Sequence, residues 1–413
     1  MHSIIRIIIP AASLLLASCH TQDALFSLEV SNAINEDRCN EMAELPATAL
    51  PATKGQAFRL VDAGGAEVPY QFTSDGKFIF PVSVAAGGSV RIKAIAGSPA
   101  PVDTLVGGRL YAERDDDFAW ENDRMAYRAY GPALQRRGER GFGYDIFTKS
   151  VEYPVLERFY AGECNEAVWK EINALRRQGL KEKGDSLERT ISYHVDHGEG
   201  MDVFSVGPTL GGGTAALLDA TGDIVFPWCY ATCEVTDRGP LRFGFRLKFH
   251  PMQVDTDKEV TETRTIALDR GSFLNRTTLR YDGLTSPHRL AAGIALRKQH
   301  PDGYVTDTAN GFVAYADSTD NAHVGNGVIF VGALSDAFNA TEVRPYTPAE
   351  QSEHGGALGH VLAIGSYAPQ SELTYWWGSG WSKGFMPDME TWTTYLRHAR
   401  RCIGSPLRVT VRK

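Results

Sequence analysis

Residues 241–250 alternate strictly between apolar and polar or small side chains. Leu241, Phe243, Phe245, Leu247 and Phe249 are each followed by a basic residue or a glycine. Successive side chains of a β-strand point to opposite faces, so this pattern predicts a strand with one buried and one solvated face. Strands of this kind are typical of antiparallel sheets, because parallel sheets are covered by helices on both faces.

Further strand-like runs, separated by turn residues, follow at residues 260–268, 277–281, 328–331, 361–367 and 407–411. The chain shows no regular alternation of strands and helices, which argues against a parallel doubly wound sheet. Two helices interrupt the strands. Asn165 can cap a helix over residues 166–178, and Asp388 can cap another near the C-terminus. Residues 105–413 are therefore predicted to form a large antiparallel β-sandwich with a C-terminal helix.

The segment 25–104 contains shorter β-type runs, such as residues 58–61 and 77–81, separated by glycine-containing turns. We predict a small β-sandwich domain here. A linker rich in glycine and proline at residues 97–101 leads into the larger domain. The fold class is thus mainly β, with a small N-terminal sandwich before a large one.

The N-terminus predicts export and lipidation. Arg6 precedes an apolar run at residues 7–17, which is too short to span a membrane and reads as a secretory leader over residues 1–18. The run ends in Leu-Ala-Ser-Cys, which resembles a bacterial lipobox and implies cleavage before a lipidated Cys19. Residues 19–24 would then be a tether. We expect a lipid anchor outside the cytoplasm, on the periplasmic or surface face of the bacterial outer membrane.

The net charge of -8 argues against a nucleic-acid partner. Beyond Cys19 the chain has five cysteines, an odd number without the spacing of a disulfide scaffold. Cys229 and Cys233 lack the second pair that a structural zinc site needs. Disulfide pairing and oligomeric state stay open.

One ten-residue motif at residues 193–202 is dense in proton-transfer groups: Tyr193, His194, Asp196, His197, Glu199 and Asp202. If the motif is extended, alternation places Tyr193, His197 and Glu199 on one face, with the other three bracing the opposite face. His197 would then transfer the proton, and His194 would orient the site. The alternative is a surface loop whose polar groups bond to its own backbone. His194 and His197, with Glu199 beyond them, could also supply ligands to zinc or calcium, but there is no H-E-x-x-H frame, the full ligand set cannot be named, and the sequence requires no cofactor.

A second cluster, at residues 115–132, interleaves aromatic and charged residues. Arg124, Arg128 and Tyr130 share parity along a strand, and a guanidinium fork can hold a carboxylate by two hydrogen bonds. Aromatic rings nearby can stack on the apolar face of a sugar. The alternative is a half-buried strand with internal ion pairs, because Glu121 and Asp123 are close by.

Residues 120–124 and 130–134, the motif at 193–202 with residues 206–211, and the tryptophan-rich segment 377–383 resemble a family of bacterial lipoproteins. That family is defined as a domain of unknown function and is associated with pectin- and uronate-degrading enzymes. It is similar to the galactose mutarotase-like supersandwich, which epimerases, polysaccharide lyases and some glycoside hydrolases share. The resemblance implies catalytic groups on the concave face of a large sheet. A charged insert at residues 163–185 departs from the family pattern.

We therefore expect a carbohydrate-active enzyme that degrades a uronate-containing glycan, foremost a polysaccharide lyase. Arg124 and Arg128 would offset the uronate carboxylate, and His197 or His194 would take the carbon-bound proton. Tyr193 would return a proton to the leaving oxygen. The expected catalytic residues are Tyr193, His194, His197 and Glu199. The expected substrate-binding residues are Trp120, Glu121, Asp123, Arg124, Arg128, Tyr130, Asp202, Trp377 and Trp381.

Three alternatives remain. A glycoside hydrolase would use two carboxylates, Glu199 with Glu121 or Asp123. A sugar epimerase is compatible with the fold. A tethered glycan-binding protein would need the aromatic and arginine residues but not the histidines.

Overall fold

The computed structural model describes residues 23–53, 55–318, 325 and 327–413. The predicted leader, Cys19 and most of the predicted tether lie outside these residues. Antiparallel strands dominate the described chain, which confirms the mainly β fold class. Within these ranges, no helix has both the length and the apolar character needed to cross a bilayer.

The elements follow in chain order. The first third contains β1 (Ala24–Ser31), β2 (Arg38–Pro46), β3 (Phe58–Val61), β4 (Glu67–Val68), β5 (Gln71–Phe72), β6 (Lys77–Val84), β7 (Ser89–Ala96), β8 (Gly107–Tyr111), β9 (Asp117–Glu121), β10 (Ala126–Ala129), α1 (Pro132–Arg136) and β11 (Asp145–Phe147). Next come α2 (Leu156–Glu163), α3 (Glu166–Arg177), α4 (Lys181–Ile191), β12 (Gly212–Leu218), β13 (Tyr230–Arg238), β14 (Arg242–Phe249), β15 (Met252–Val254), β16 (Asp257–Asp269), β17 (Leu274–Asp282) and β18 (His288–Leu296). The chain ends with β19 (Tyr304–Asp307), β20 (Phe312–Asp317), β21 (Ile329–Leu334), β22 (Phe338–Pro345), α5 (Pro348–Glu353), β23 (Gly359–Tyr367), β24 (Leu373–Trp381), α6 (Met389–Gly404) and β25 (Arg408–Arg412).

The small sandwich contains both ends of the described chain. A five-stranded sheet, β25-β1-β7-β3-β4, packs on a three-stranded sheet, β2-β6-β5, around an apolar core that includes Phe26, Leu28 and Phe80. In β25, Val409 pairs with Val30 of β1. Residues 407–411 were predicted to belong to the large sandwich, but as part of β25 they pair with the small one. Strand pairing joins residues far apart in sequence, so a local pattern identifies the strand but not its partner.

The large sandwich is built on a sheet of nine strands, ordered β13-β14-β16-β17-β24-β21-β20-β19 with β15 beside β16. Two four-stranded sheets, β12-β18-β23-β22 and β11-β10-β9-β8, share one apolar core with it. Phe245, Leu290 and Trp377 are fully buried in this core. The architecture is the predicted large antiparallel supersandwich.

Helix α6 covers the other face of the nine-stranded sheet. The side chain of Asp388 accepts a hydrogen bond from the backbone N–H of Thr391 and caps the helix as predicted. Trp392 and Leu396 bury their side chains against β20 and β21. Asn165 caps α3 in the same way, by accepting from Val168. The sequence pattern did not single out α2 and α4, which flank α3.

Strand β14 departs from the prediction on its polar side. Its apolar residues are buried, but Arg242 is buried too, with ion pairs to Asp269 and to Glu44 of the small sandwich. The small sandwich covers this side of the strand. The face of β14 that was predicted to be solvated is therefore buried at Arg242.

Candidate functional site

The candidate site lies on the outer face of the sheet β11-β10-β9-β8. Along β9 and β10, Trp120 and Tyr127 point into the large core, whereas Asp117 and Arg128 point to the opposite face. Arg128 also lies directly across from Asp145 of β11 in the strand register. Alternation along three short strands thus gathers a guanidinium and two carboxylates on one surface.

The motif at residues 193–202 folds over this surface as a series of turns. Gly200 has a φ of +120°, and a Cβ there would lie 1.9 Å from the carbonyl oxygen of Thr148. Only glycine tolerates this conformation and this close approach. The chain therefore passes directly over β11 and its end, where Asp202 bridges to Phe147.

Arg128 organises what we call the Arg128 cluster: Asp117, Arg128, Tyr130, Asp145, Tyr193 and Asp202. Nε of Arg128 donates to Asp145 Oδ2 at 2.9 Å, and Nη2 donates to Asp202 Oδ2 at 2.8 Å. Nη1 is 3.3 Å from Asp117 Oδ2. Nη1 also donates to the Tyr193 hydroxyl at 3.2 Å, and Nη2 to the Tyr130 hydroxyl at 3.2 Å. The guanidinium is thus fully engaged by groups of the protein.

Carboxylates outnumber the guanidinium at the centre of the cluster. Burial raises the pKa of Asp117 to about 6, despite the opposing charge of Arg128. Burial and the charge of Asp145 likewise raise the pKa of Asp202 to about 6. Clustered carboxyl groups that titrate near neutral pH are typical of sites that transfer protons.

His194 connects the cluster to solvent. Its Nδ1 lies 2.9 Å from the backbone oxygen of Asp202 and 3.8 Å from Asp202 Oδ2. Because a carbonyl oxygen only accepts, Nδ1 carries the proton and Nε2 is left as an acceptor. The side chain is 49% exposed, so a bound molecule could reach it.

The predicted face of Tyr193, His197 and Glu199 does not exist. His197 is exposed, with Nε2 3.3 Å from the backbone oxygen of Ser192. Glu199 is ion-paired with Arg158 and accepts from the Tyr153 hydroxyl at 2.7 Å. The parity prediction is wrong because the segment turns at Gly198 and Gly200 instead of extending.

Tyr193 instead belongs to the Arg128 cluster with Asp202, and His194 lies beside that cluster. The Tyr193 side chain is buried against α2, and the proton donation to a leaving group stays a prediction.

Glu121 and Asp123 accept hydrogen bonds from other groups of the protein. The Glu121 carboxylate accepts from Lys149 Nζ at 2.7 Å and from the backbone N–H groups that begin α2. Asp123 Oδ1 accepts from the backbone N–H of Gly271 at 2.6 Å. Both carboxylates are buried, and the substrate-binding and hydrolytic roles given to them stay predictions.

The predicted tryptophan platforms are core residues. Trp120, Trp377 and Trp381 are at most 1% exposed. The ring of Trp377 stacks on Tyr144 with centroids 3.9 Å apart. Their side chains point into the sandwich, so none can stack on a bound sugar. Tyr153, 52% exposed, is the aromatic side chain beside Glu199 that solvent reaches.

Arg124 and Arg128, both predicted to face a substrate carboxylate, lie in different environments. Arg124 precedes β10, is partly exposed and donates to Glu152 at 3.1 Å. Arg128 is buried and neutralised by three carboxylates, so it is not free for a substrate. The predicted parity of Arg128 and Tyr130 is confirmed by their mutual hydrogen bond.

His194, His197 and Glu199, the candidate metal ligands, each contact a different group of the protein. Over the described ranges, no three His, Cys, Asp or Glu side chains are grouped as metal ligands.

Sequence reasoning did not select Asp117, Asp145, Arg114 or Tyr153. Burial opposes the charge of Arg114, but nearby Tyr193 and Asp117 raise its pKa, which places it beside the cluster. Asp117 and Glu121 lie on the same face of β9, so alternation along this strand could have identified Asp117. Asp145 could be found only from the pairing of β10 with β11.

Residues 30–409 match the family described as a domain of unknown function, DUF4861. The chain belongs to the DUF4861 family. This confirms that the motifs belong to a family defined as a domain of unknown function. The chain is also similar to the uncharacterized protein P7 of Formosa agariphila, with 25% identity over 441 residues and full coverage of both chains.

Two solved structures are similar at 10% identity and a TM-score of 0.47 over 94% of this chain. They are an alpha-mannosidase from Enterococcus faecalis V583 and a protein of glycosyl hydrolase family 38 from Enterococcus faecalis. The matches cover 46% and 47% of those chains, so this DUF4861 chain spans about half their length.

Proposed function

We propose that this DUF4861 protein is a carbohydrate-active enzyme that cleaves a uronate-containing glycan with His194 as its base. One observation carries the proposal. The exposed imidazole of His194 donates through Nδ1 to the backbone oxygen of Asp202 at 2.9 Å, and Arg128 holds the carboxylate of the same residue at 2.8 Å. A base held by an orienting group is a recurrent arrangement for proton transfer.

In the lyase reaction, Nε2 of His194 takes the carbon-bound proton beside the uronate carboxylate. The released electron pair forms a carbon–carbon double bond, and the bond to the leaving glycosidic oxygen breaks. That oxygen then takes a proton from solvent. The step needs no oxidant or co-reactant, and it leaves an unsaturated uronate at the new end.

Surface groups beside the motif supply candidate substrate contacts. Arg124 uses its guanidinium for an ion pair with Glu152, an exposed carboxylate that a substrate carboxylate can replace. The exposed ring of Tyr153 is suited to stack on a pyranose. In this proposal Arg124 binds the substrate carboxylate in place of Arg128, and Tyr153 stacks on the sugar in place of the buried tryptophans.

Hydrolysis is the second candidate. The raised pKa values of Asp117 and Asp202 favour it, because a carboxyl group that keeps its proton near pH 6 can act as a general acid. Its substrate would have to reach carboxyl groups that are now buried, which favours the lyase reaction. Epimerisation and binding without turnover are tested by the same experiment.

The test is a screen of pectic, glucuronan-type and plant gum oligosaccharides, followed by variants on the glycan that reacts. Ultraviolet absorbance of an unsaturated product identifies a lyase. New reducing ends without that absorbance identify a hydrolase. An altered sugar without cleavage identifies an epimerase.

His194→Ala should lower turnover by about 10²- to 10⁴-fold with little change in KM, as expected for a lost general base. His197→Ala is the matched control, because it removes an exposed imidazole from the same turn. Full activity of His194→Ala, or equal losses in both variants, would contradict the assignment.

We also propose that the protein is exported and held by lipid on Cys19, outside the cytoplasm. The apolar leader and its Leu-Ala-Ser-Cys ending support this location. It would place the site where extracellular glycan fragments arrive.

A further inference from the structure

A cavity of about 530 Å³ lies between the small sandwich and the outer face of the nine-stranded sheet. Strand β2 forms one wall, strands β14, β16, β17 and β24 form the other, and α6 closes one side. The volume is in the range of small-molecule sites. The cavity contains no residue of the Arg128 cluster, so it is separate from the proposed reaction site.

Each carboxylate that lines the cavity is already paired. Glu44 accepts from Arg242 at 2.7 Å, and Asp269 accepts from Arg242 at 2.6 Å. Glu41 accepts from Nε of buried Arg38 at 2.6 Å. The pairs leave no uncompensated negative charge among the lining carboxylates.

Arg270 is left without a partner in this wall. It is half-buried, and its guanidinium makes no hydrogen bond or ion pair with any residue that the structure describes. A planar guanidinium offers five N–H donors in a geometry that matches a carboxylate. The cavity therefore presents a guanidinium that is unpaired among the described residues and can bind an anion.

Trp376 provides an apolar surface in the same cavity. It is half-buried, in contrast to Trp377, which points to the opposite face of β24 and is fully buried. An indole ring is suited to pack against the apolar face of a sugar ring. An arginine fork and an accessible indole are together the recognition chemistry of a carboxylated saccharide.

Cys402 and His398 also line the cavity, with Sγ 3.4 Å from Nε2 of the histidine. Burial and the charge of Glu41 raise the pKa of Cys402 to about 12. The thiol is therefore protonated near neutral pH and lacks the thiolate that a nucleophilic cysteine needs. These side chains form part of the wall of the cavity, and the thiol supplies no nucleophile there.

We propose that this cavity is a second saccharide site that binds a uronate residue, with the carboxylate on Arg270 and the ring face on Trp376. The site is independent of turnover at His194. It would hold an acidic glycan or its product against the junction of the two sandwiches.

The test measures binding to the full mature chain by isothermal titration calorimetry. The probes are D-glucuronate and D-galacturonate, with D-glucose and D-galactose as neutral controls. The uronates should bind more tightly than the neutral sugars. Arg270→Ala should weaken uronate binding tenfold or more, as expected for a lost charge-assisted pair. Arg270→Lys keeps the charge but loses the planar guanidinium, so its uronate affinity should lie between those of the wild type and Arg270→Ala.

Arg91→Ala, at an exposed arginine of β7, is the matched control and should bind like the wild type. Trp376→Leu should weaken binding of the same probes, with folding checked by thermal unfolding. Absence of uronate binding, equal binding of acidic and neutral sugars, or unchanged affinity in Arg270→Ala would overturn the proposal.

Two variants separate this site from the proposed reaction. Arg270→Ala should retain glycan cleavage, and His194→Ala should retain uronate binding at the cavity. Loss of uronate binding in His194→Ala alone would place the anion at the reaction site. That result would overturn the second site and leave the proposed function intact.

Discussion

The carboxylate of Glu44 accepts a hydrogen bond from Nη2 of Arg242 at 2.7 Å across the junction of the two sandwiches. The same oxygen accepts from Arg276 at 3.0 Å, and Lys77 donates to the other oxygen at 2.6 Å. Burial alone would raise the pKa of Glu44, but Arg242 and Arg276 outweigh it and lower the pKa to about 2. The junction therefore depends on an ionised carboxylate.

We expect Glu44→Gln to make the protein less stable at neutral pH. The pKa of Glu44 is lowered from 4.5 to about 2 on folding, so its contribution is present above about pH 4.5 and is lost as the pH falls toward 2. A shift of this size corresponds to about 3 kcal/mol. Urea unfolding at several pH values should show the gap between wild type and variant closing over that window.

The control for this junction is Glu29→Gln, which removes an exposed pair with Arg412 inside the small sandwich. Exposed pairs contribute about 0–1 kcal/mol, so this variant should unfold almost like the wild type. Equal losses in the two variants would show that Glu44 does not stabilise the junction.

Arg128→Met should destabilise the fold by about 3–5 kcal/mol, because it leaves buried carboxylates without their cation. Adding Asp117→Asn should restore part of the loss, since it removes one of those carboxylates. Urea unfolding of both variants measures the coupling. Wild-type stability in Arg128→Met, or additive losses in the double variant, would contradict the charge balance inferred for the cluster.

Asp202 should make the fold less stable as the pH rises. Its pKa is raised from 3.8 to about 6 on folding, so its contribution is fully present below about pH 3.8 and is lost as the pH rises through about 6. Asp202→Asn removes this titration. The stability difference between variant and wild type should change across that window in urea unfolding, and a difference independent of pH would count against the raised pKa.

Arg124→Lys tests the contact with a uronate carboxylate. The lysine keeps the charge but loses the two-pronged geometry, so transition-state binding of a uronate substrate should weaken by about 1–3 kcal/mol. The kcat/KM values of matched acidic and neutral glycans measure the effect. Equal losses for both substrates would rule out a carboxylate-binding role for Arg124.

Cys19→Ser should release the protein from the membrane fraction or block its processing, because serine cannot carry the thioether-linked lipid. Fractionation followed by immunoblotting gives the answer. Normal processing and retention in the membrane would refute the lipobox prediction.

Local sequence patterns predicted the parts of the fold that depend on neighbouring residues. Alternation at residues 241–250 predicted β14, and the side chains of Asn165 and Asp388 cap α3 and α6 as expected. In each case the pattern involves residues close together in sequence, so it can be recognised without knowing the tertiary contacts.

Clustering of the motifs was predicted, but their internal geometry was not. The sequence motifs included Arg128, Tyr193, His194 and Asp202, and these residues are in contact in the structure. The sequence pattern placed His197 on one face with Tyr193 and Glu199, because the parity argument assumed a regular strand. The left-handed turns at Gly198 and Gly200 break that regularity.

The sequence by itself determined the mainly β character, the two helix caps and the grouping of titratable residues. Only the tertiary structure decided that Trp120 and Trp377 point inward, that Asp145 faces Arg128, and that β25 pairs with β1. The reason is physical. Alternation gives a strand two distinct faces, but which face is buried depends on the elements that pack against it, and these come from distant parts of the chain.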